Sequence, residues 1–178
     1  MIFRRVVIFL VVLSAATLRS AEDSSAPAFA FQDVKYFHRW SQNQQHEFTP
    51  AKQEDLDHWS DMITINGYPS VGDADKLAEA ANGVLENYRN NQGKILRTNS
   101  VPATDEHPAE HFIAVLFTRP GFSEAAFARF KLVDGKGHSF VYSHRFYGDK
   151  AAEEMGEWLK DSGEETEKAL MAWAPPRR

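Results

Sequence analysis

His107-Pro108-Ala109-Glu110-His111 carries the residue types of a zinc hydrolase in the order H-x-x-E-H. That chemistry sets two imidazoles on one helix face, with the carboxylate beside the bound water. The local sequence argues against the helix. Pro108 removes a backbone donor, and the apolar run His111–Thr118 begins at once. In an extended segment positions 107 and 111 stand about 13 Å apart, at ~3.3 Å per residue, too far to share one ion. A metal-dependent hydrolase using His107, Glu110 and His111 is therefore the alternative reading, and no metal or cofactor is expected. His38, His46, His58, His138 and His144 show no ligand spacing, and Asp105 and Glu106 read as solvated loop acids. The sequence holds no G-x-S-x-G elbow, P-loop or dinucleotide fingerprint. Trp40, Trp59, Trp158 and Trp173 read as core or core rim.

A second constellation comes from strand pairing. Ala125–Val133 and His138–Tyr147 alternate on either side of Asp134-Gly135-Lys136-Gly137. Asp-Gly between such runs is a strong hairpin signal, because these turns need φ > 0. A two-residue loop at Gly135-Lys136 sets Val133 opposite His138, Lys131 opposite Phe140, Arg129 opposite Tyr142 and Phe127 opposite His144. These side chains share one side of the sheet. The other side carries Leu132, Phe130, Val141, Ala128 and Ser143; it is smaller and more apolar, and suits packing under a helix. Arg129, Lys131, Phe140, Tyr142 and His144 are the candidate ligand face, with Arg129, Lys131 and Tyr142 expected to line a solvent-open concavity. Arg129 and Lys131 would meet an anionic group, Arg129 over Tyr142 would form a cation–π pair, and the rings would supply stacking surface. The alternative is that the Arg and Lys stems lie across exposed rings.

The elements that must position these residues are legible along the chain. His111–Thr118 is apolar on both parities, which predicts a strand covered on both faces and ended by Arg119-Pro120-Gly121. Upstream, Asp33–Trp40, Gln45–Thr49 and Met62–Tyr68 read as strands, and Lys52–His58 as one or two helical turns sending Leu56 and Trp59 inward. Leu77, Ala80, Ala81, Val84, Leu85 and Tyr88 form one helical stripe. Asp73 or Asp75 caps its start, and Gly93 suits a left-handed cap at its end. Lys94–Val101 reads as a strand and Ala103–Pro108 as a loop. Past Gly148-Asp149, a predicted helix cap, a second helix carries Ala152, Met155, Trp158 and Leu159 inward, continued by Ala169, Leu170 and Trp173. Ser162-Gly163-Glu164-Glu165 resembles a capping box and predicts a break within it. Phe112, Leu116, Phe117, Leu85 and Trp158 are the expected core.

The chain begins with Arg4 and Arg5, an uncharged Val6–Leu13 run and small residues, the pattern of a signal peptide. It is too short for a comfortable membrane span. Residues 1–21 are taken as the leader, with cleavage between 16 and 30, and 22–32 as a disordered lead-in. Residues 33–174 form a single α+β domain. Cleavage near Ala21 removes three arginines and no acid, taking the net charge from −5 to −8. Such an acidic chain without a basic run is a poor partner for nucleic acid. It holds no cysteine, which excludes disulfides and thiol chemistry. The expected location is periplasmic or secreted, with no integral membrane span after cleavage.

The order strand–helix–strand–strand–hairpin–helix predicts a largely antiparallel sheet with two long helices packed on it. This order, with the shape of Trp59–Tyr68, Leu77–Tyr88 and Phe112–Tyr147, resembles the PsbP/Mog-type α/β/α sandwich across about residues 33–174. The resemblance implies an exported, non-catalytic accessory or binding module for a protein or small ligand, and it transfers no functional residue.

Overall fold

The computed structural model describes residues 26–175. The proposed leader, 1–21, and the start of the lead-in lie outside the described residues. Within them the elements are β1 (Phe29–Phe31), β2 (Val34–Gln42), β3 (Gln45–Pro50), β4 (Asp61–Tyr68), α1 (Ala74–Asn90), β5 (Lys94–Val101), β6 (Glu110–Arg119), β7 (Phe122–Val133), β8 (Lys136–Tyr147) and α2 (Ala151–Ala172). The strands form one antiparallel sheet in the order β1-β2-β3-β4-β8-β7-β6-β5. This is the expected α+β architecture, an antiparallel sheet with two helices packed on it.

Tight turns build the sheet. Gln32-Asp33, Asn43-Gln44 and Asp134-Gly135 are two-residue loops with positive φ at both positions. That is the turn whose twist matches antiparallel strands. Gly121, with φ of 90° after Pro120, closes β6 to β7. The segment 22–32 is therefore not all lead-in: Phe29 and Phe31 enter the sheet as β1, paired with Tyr36 and Val34.

The two faces bury separate cores. One holds Leu77, Ala81 and Tyr88 of α1 against Ile113, Val115, Phe117, Ala126, Ala128 and Phe130. The other holds Met155 and Leu170 of α2 with Phe112, Phe127, Phe140, Tyr142, Ile63, Phe48 and Phe31. β6 is thus covered on both sides, as its unbroken apolar run requires. Phe112 and Phe117 are buried; Leu116, Leu85 and Trp158 are half-buried on the rims of these cores.

Several local expectations are corrected. Lys52–His58 is turn and coil, with side chains taking one of its backbone donors and two of those that follow it. Asp55 Oδ1 accepts from Asp57 N at 2.8 Å, and Gln53 Oε1 accepts from Ser60 N and Asp61 N at 2.8 Å each. Trp59 is nonetheless buried. Asp73 caps α1, accepting from Lys76 N. α2 is one unbroken helix of 22 residues, its N-cap is Lys150 rather than Asp149, and no side chain caps it. Gly163 and Thr166 lie buried in its middle, with Gly163 beside Phe127 of β7.

Gln92, not Gly93, takes the left-handed position after α1, with φ of 59°. Gly93 is needed for space. A Cβ there would lie 2.6 Å from Val115 Cγ2, 2.7 Å from Phe117 Cε1 and 2.8 Å from Tyr88 O. Gly93→Ala is expected to push the end of α1 off the sheet, at a cost of about 1–3 kcal/mol in urea unfolding. An unchanged midpoint would show that this helix end is free to shift.

Candidate functional site

The β7–β8 register places the predicted face and corrects its partners. Arg129 lies opposite Phe140, Phe127 opposite Tyr142, and Lys131 opposite His138. The loop is Asp134-Gly135, one residue earlier than expected, so every partner slips by two. A slip of two keeps each side chain on its side of the sheet, where a slip of one would reverse them all. Arg129, Lys131, Phe140, Tyr142 and His144 therefore share a face, but α2 crosses it. Arg129 and Tyr142 are buried, and the expected open concavity is not formed around them.

Arg129 is held by four bonds instead of a ring. Its Nε and Nη2 donate to Glu110 Oε2 and Oε1 at 2.8 and 2.7 Å, and its Nη1 donates to Leu170 O and Trp173 O at 3.0 and 2.7 Å. The guanidinium thus satisfies carbonyls at the C-terminus of α2, where the helix dipole is negative. Lys131 Nζ sits 3.2 Å from Glu110 Oε1. Burial pushes the Glu110 pKa up, but the bonds and charges of Arg129 and Lys131 outweigh it and hold the carboxyl below its ordinary range.

Further along the face, Asp61 gathers Tyr142 and His144. Tyr142 Oη donates to Asp61 Oδ1 at 2.8 Å, and His144 Nδ1 lies 2.9 Å from the same oxygen. Because a carboxylate oxygen accepts, Nδ1 carries the proton. Gln53 Nε2 donates to Oδ2 at 3.2 Å, and the imidazole stacks on Trp158 of α2 at 4.4 Å. Burial pushes the Asp61 pKa up, but the bonds from His144 and Tyr142, the His144 charge and the Gln53 amide outweigh it, and the net shift is downward. A carboxyl depressed by folding contributes stability that is complete above the unfolded pKa of about 3.9 and is lost as pH falls through the folded value. The urea midpoint should therefore drop below about pH 4, and Asp61→Asn should flatten that part of the profile. An identical slope in the variant would remove Asp61 from the acid transition.

The H-x-x-E-H segment does not assemble. Glu110 opens β6 opposite Lys131 and points under α2, where both oxygens are bonded. His111, the next residue of the strand, leaves the opposite face, and its Nδ1 lies 2.9 Å from Ser100 Oγ. Burial lowers its pKa. His107 is exposed in the preceding turn. Among the described residues no group of three or more His, Asp or Glu side chains is placed to hold a metal.

The α2 face outlasts α2. The twelve residues of β8 extend about 40 Å at ~3.4 Å each, whereas the 22 residues of α2 rise ~33 Å at 1.5 Å each. The chain reverses at Gly148, so α2 runs back along β8 and stops short of its beginning. A cleft of about 280 Å³ opens there. Ile65 and Phe140 form its floor beside Gly67; Gln44 and His46 come from the β2–β3 hairpin, and Val133, Asp134, Lys136 and His138 from the β7–β8 hairpin. Trp173, just past α2, meets Phe140 edge-on at 5.9 Å. Of the predicted face only Phe140 reaches this cleft. The rest of its lining comes from four strands and two turns, a convergence that no local motif announces.

No curated protein is similar to the chain in sequence. Among solved structures, the Saccharomyces cerevisiae Ran-binding protein Mog1p superposes with a TM-score of 0.50 at 9% identity, over 76% of this chain and 82% of that one. A point variant of Mog1 gives 0.50 and 9%, over 76% and 83%. A Pseudomonas aeruginosa protein of unknown function, PA94, gives 0.49 and 14%, over 78% and 88%. At these identities the Mog1 likeness concerns the fold alone. A protein-family model matches residues 24–173, and the chain belongs to that family.

Proposed function

We propose that this chain is an exported, non-catalytic binding module whose recognition site is the cleft beyond the end of α2. One observation carries the reading: the α2 face continues past its helix and ends in an open, turn-rimmed trough of mixed polar and apolar side chains. Elsewhere on that face the charged groups are committed to holding the fold. Arg129 and Glu110 clamp the helix end, and Asp61 ties Tyr142 to His144. A rigid scaffold presenting turns is a common design for recognition. Mog1p, of similar fold, is described as Ran-binding. For this chain the partner class is a protein or a small ligand outside the cytoplasm, in keeping with the basic and apolar start of the sequence.

A photoreactive residue introduced in place of Lys136, on the cleft rim, tests the site in the native host. The control replaces Glu79, exposed on α1. A discrete adduct from position 136 alone is the expected result; adducts from both positions, or from 79 alone, would overturn the assignment. Intact mass of the native protein tests export, since a mature chain still beginning at Met1 refutes it.

A further inference from the structure

The charges on the cleft rim come as an opposite pair with no internal use. Asp134 and Lys136 flank Gly135, both are exposed, and neither forms an ion pair with a described residue. A ligand of single charge would satisfy one of them and leave the other facing like charge. A ligand carrying both an ammonium and a carboxylate satisfies both.

The remaining lining fits the same ligand. His138 Nδ1 lies 3.0 Å from the Lys136 carbonyl oxygen, which can only accept. The Nδ1 nitrogen therefore holds the proton, and a neutral ring offers the lone pair of Nε2 as an acceptor. Gln44 brings an amide able to donate and to accept. Below these groups Ile65, Val133 and Phe140 form an apolar surface, and the His138 ring lies parallel to Phe140 at 6.0 Å and 13°. A cavity of roughly 150 Å³ holds a benzene ring, so about 280 Å³ has room for one such side chain and its charged head.

We propose that the cleft binds a free apolar α-amino acid as its zwitterion. The ammonium meets Asp134 and His138 Nε2, the carboxylate meets Lys136, and the side chain lies on Phe140 and Ile65. This rests on the cleft being the recognition site and names the class of ligand it takes.

The test uses the mature chain and nitrogen-15 NMR titrations with L-phenylalanine, phenylacetate and phenethylamine. L-Phenylalanine is expected to bind at least tenfold more tightly than either analogue, with shifts centred on Phe140, Ile65 and Gly67. Asp134→Asn retains a residue type that tolerates the positive φ of 49°. It should reduce L-phenylalanine to the affinity of phenylacetate. Lys136→Met should reduce it to that of phenethylamine. No cleft shifts at the solubility limit, equal affinity for all three probes, or unaltered binding by both variants would each overturn the proposal. Such a failure beside a specific adduct at position 136 would remove the ligand class and leave the site standing. Failure of both experiments would remove the site as well.

Discussion

Arg129→Ala is expected to destabilise the protein by about 3–5 kcal/mol, the range for breaking a buried ion pair from one side. The variant leaves the Glu110 carboxylate with Lys131 alone and strips Leu170 O and Trp173 O of the donor they share. Burial prevents water from replacing that donor cheaply. Urea unfolding reads the loss directly, and the melting temperature should fall on the order of 10 °C for a domain of this size. Arg129→Lys keeps the charge but cannot reproduce a two-pronged hold on Glu110 together with a bond to each carbonyl, so it should recover only part of the loss. A decrease under about 1 kcal/mol in Arg129→Ala would mean that the C-terminus of α2 is held by its apolar contacts. The consequence reaches the cleft through Phe140, which lines it and meets Trp173 edge-on at 5.9 Å. Trp173 fluorescence should therefore report a loosened helix end at denaturant concentrations where the sheet is still folded.

The burial of Arg129 also explains where sequence reasoning stopped. The apolar stripes of both helices, the doubly covered β6 and the shared face of β7 and β8 follow from periodicity, and all are present. The face that mixes rings with cations was expected to stay open because such charges resist burial. What buries it is a carboxylate nineteen residues away and carbonyls over forty residues away, a combination that local pattern does not encode. Turn chemistry alone allows two registers here. Gly135-Lys136 suits a type II′ loop and Asp134-Gly135 a type I′ loop; the protein takes the second, with φ of 49° at Asp134 and 73° at Gly135. Lys52–His58 failed for another reason: a periodic reading cannot see Gln53 and Asp55 bonding their neighbours' backbone. The cleft was invisible because it is defined by where a helix ends relative to a longer strand.

Processing at Ala30 should be incompatible with the folded domain, although Ala28-Phe29-Ala30 fits the small-x-small pattern of a cleavage site. Phe29 stands 4.9 Å from the Phe48 ring, 5.1 Å from Trp173 and 5.7 Å from Tyr36. Ala28 N donates to Tyr36 O at 2.8 Å, and Ala30 O accepts from Trp173 Nε1 at 3.1 Å. Cutting after Ala30 removes all of these contacts and puts a charged amine on Phe31, which is buried between Tyr142 and Trp173. It also strips Val34–Tyr36 of β2 of the strand paired with them, leaving an unprotected edge where β1 now lies. A chain beginning at Phe31 should lose at least about 3–5 kcal/mol, the cost of deleting a packed phenylalanine, and should aggregate sooner on heating. One beginning at Glu22 keeps β1 whole and should match the unprocessed domain. Urea melts of the two purified forms separate the cases, and the native mature mass should correspond to a start before Ala28. Equal stability of the two forms would show that β1 is an ornament of the sheet and would return Ala30 to the candidate cleavage sites.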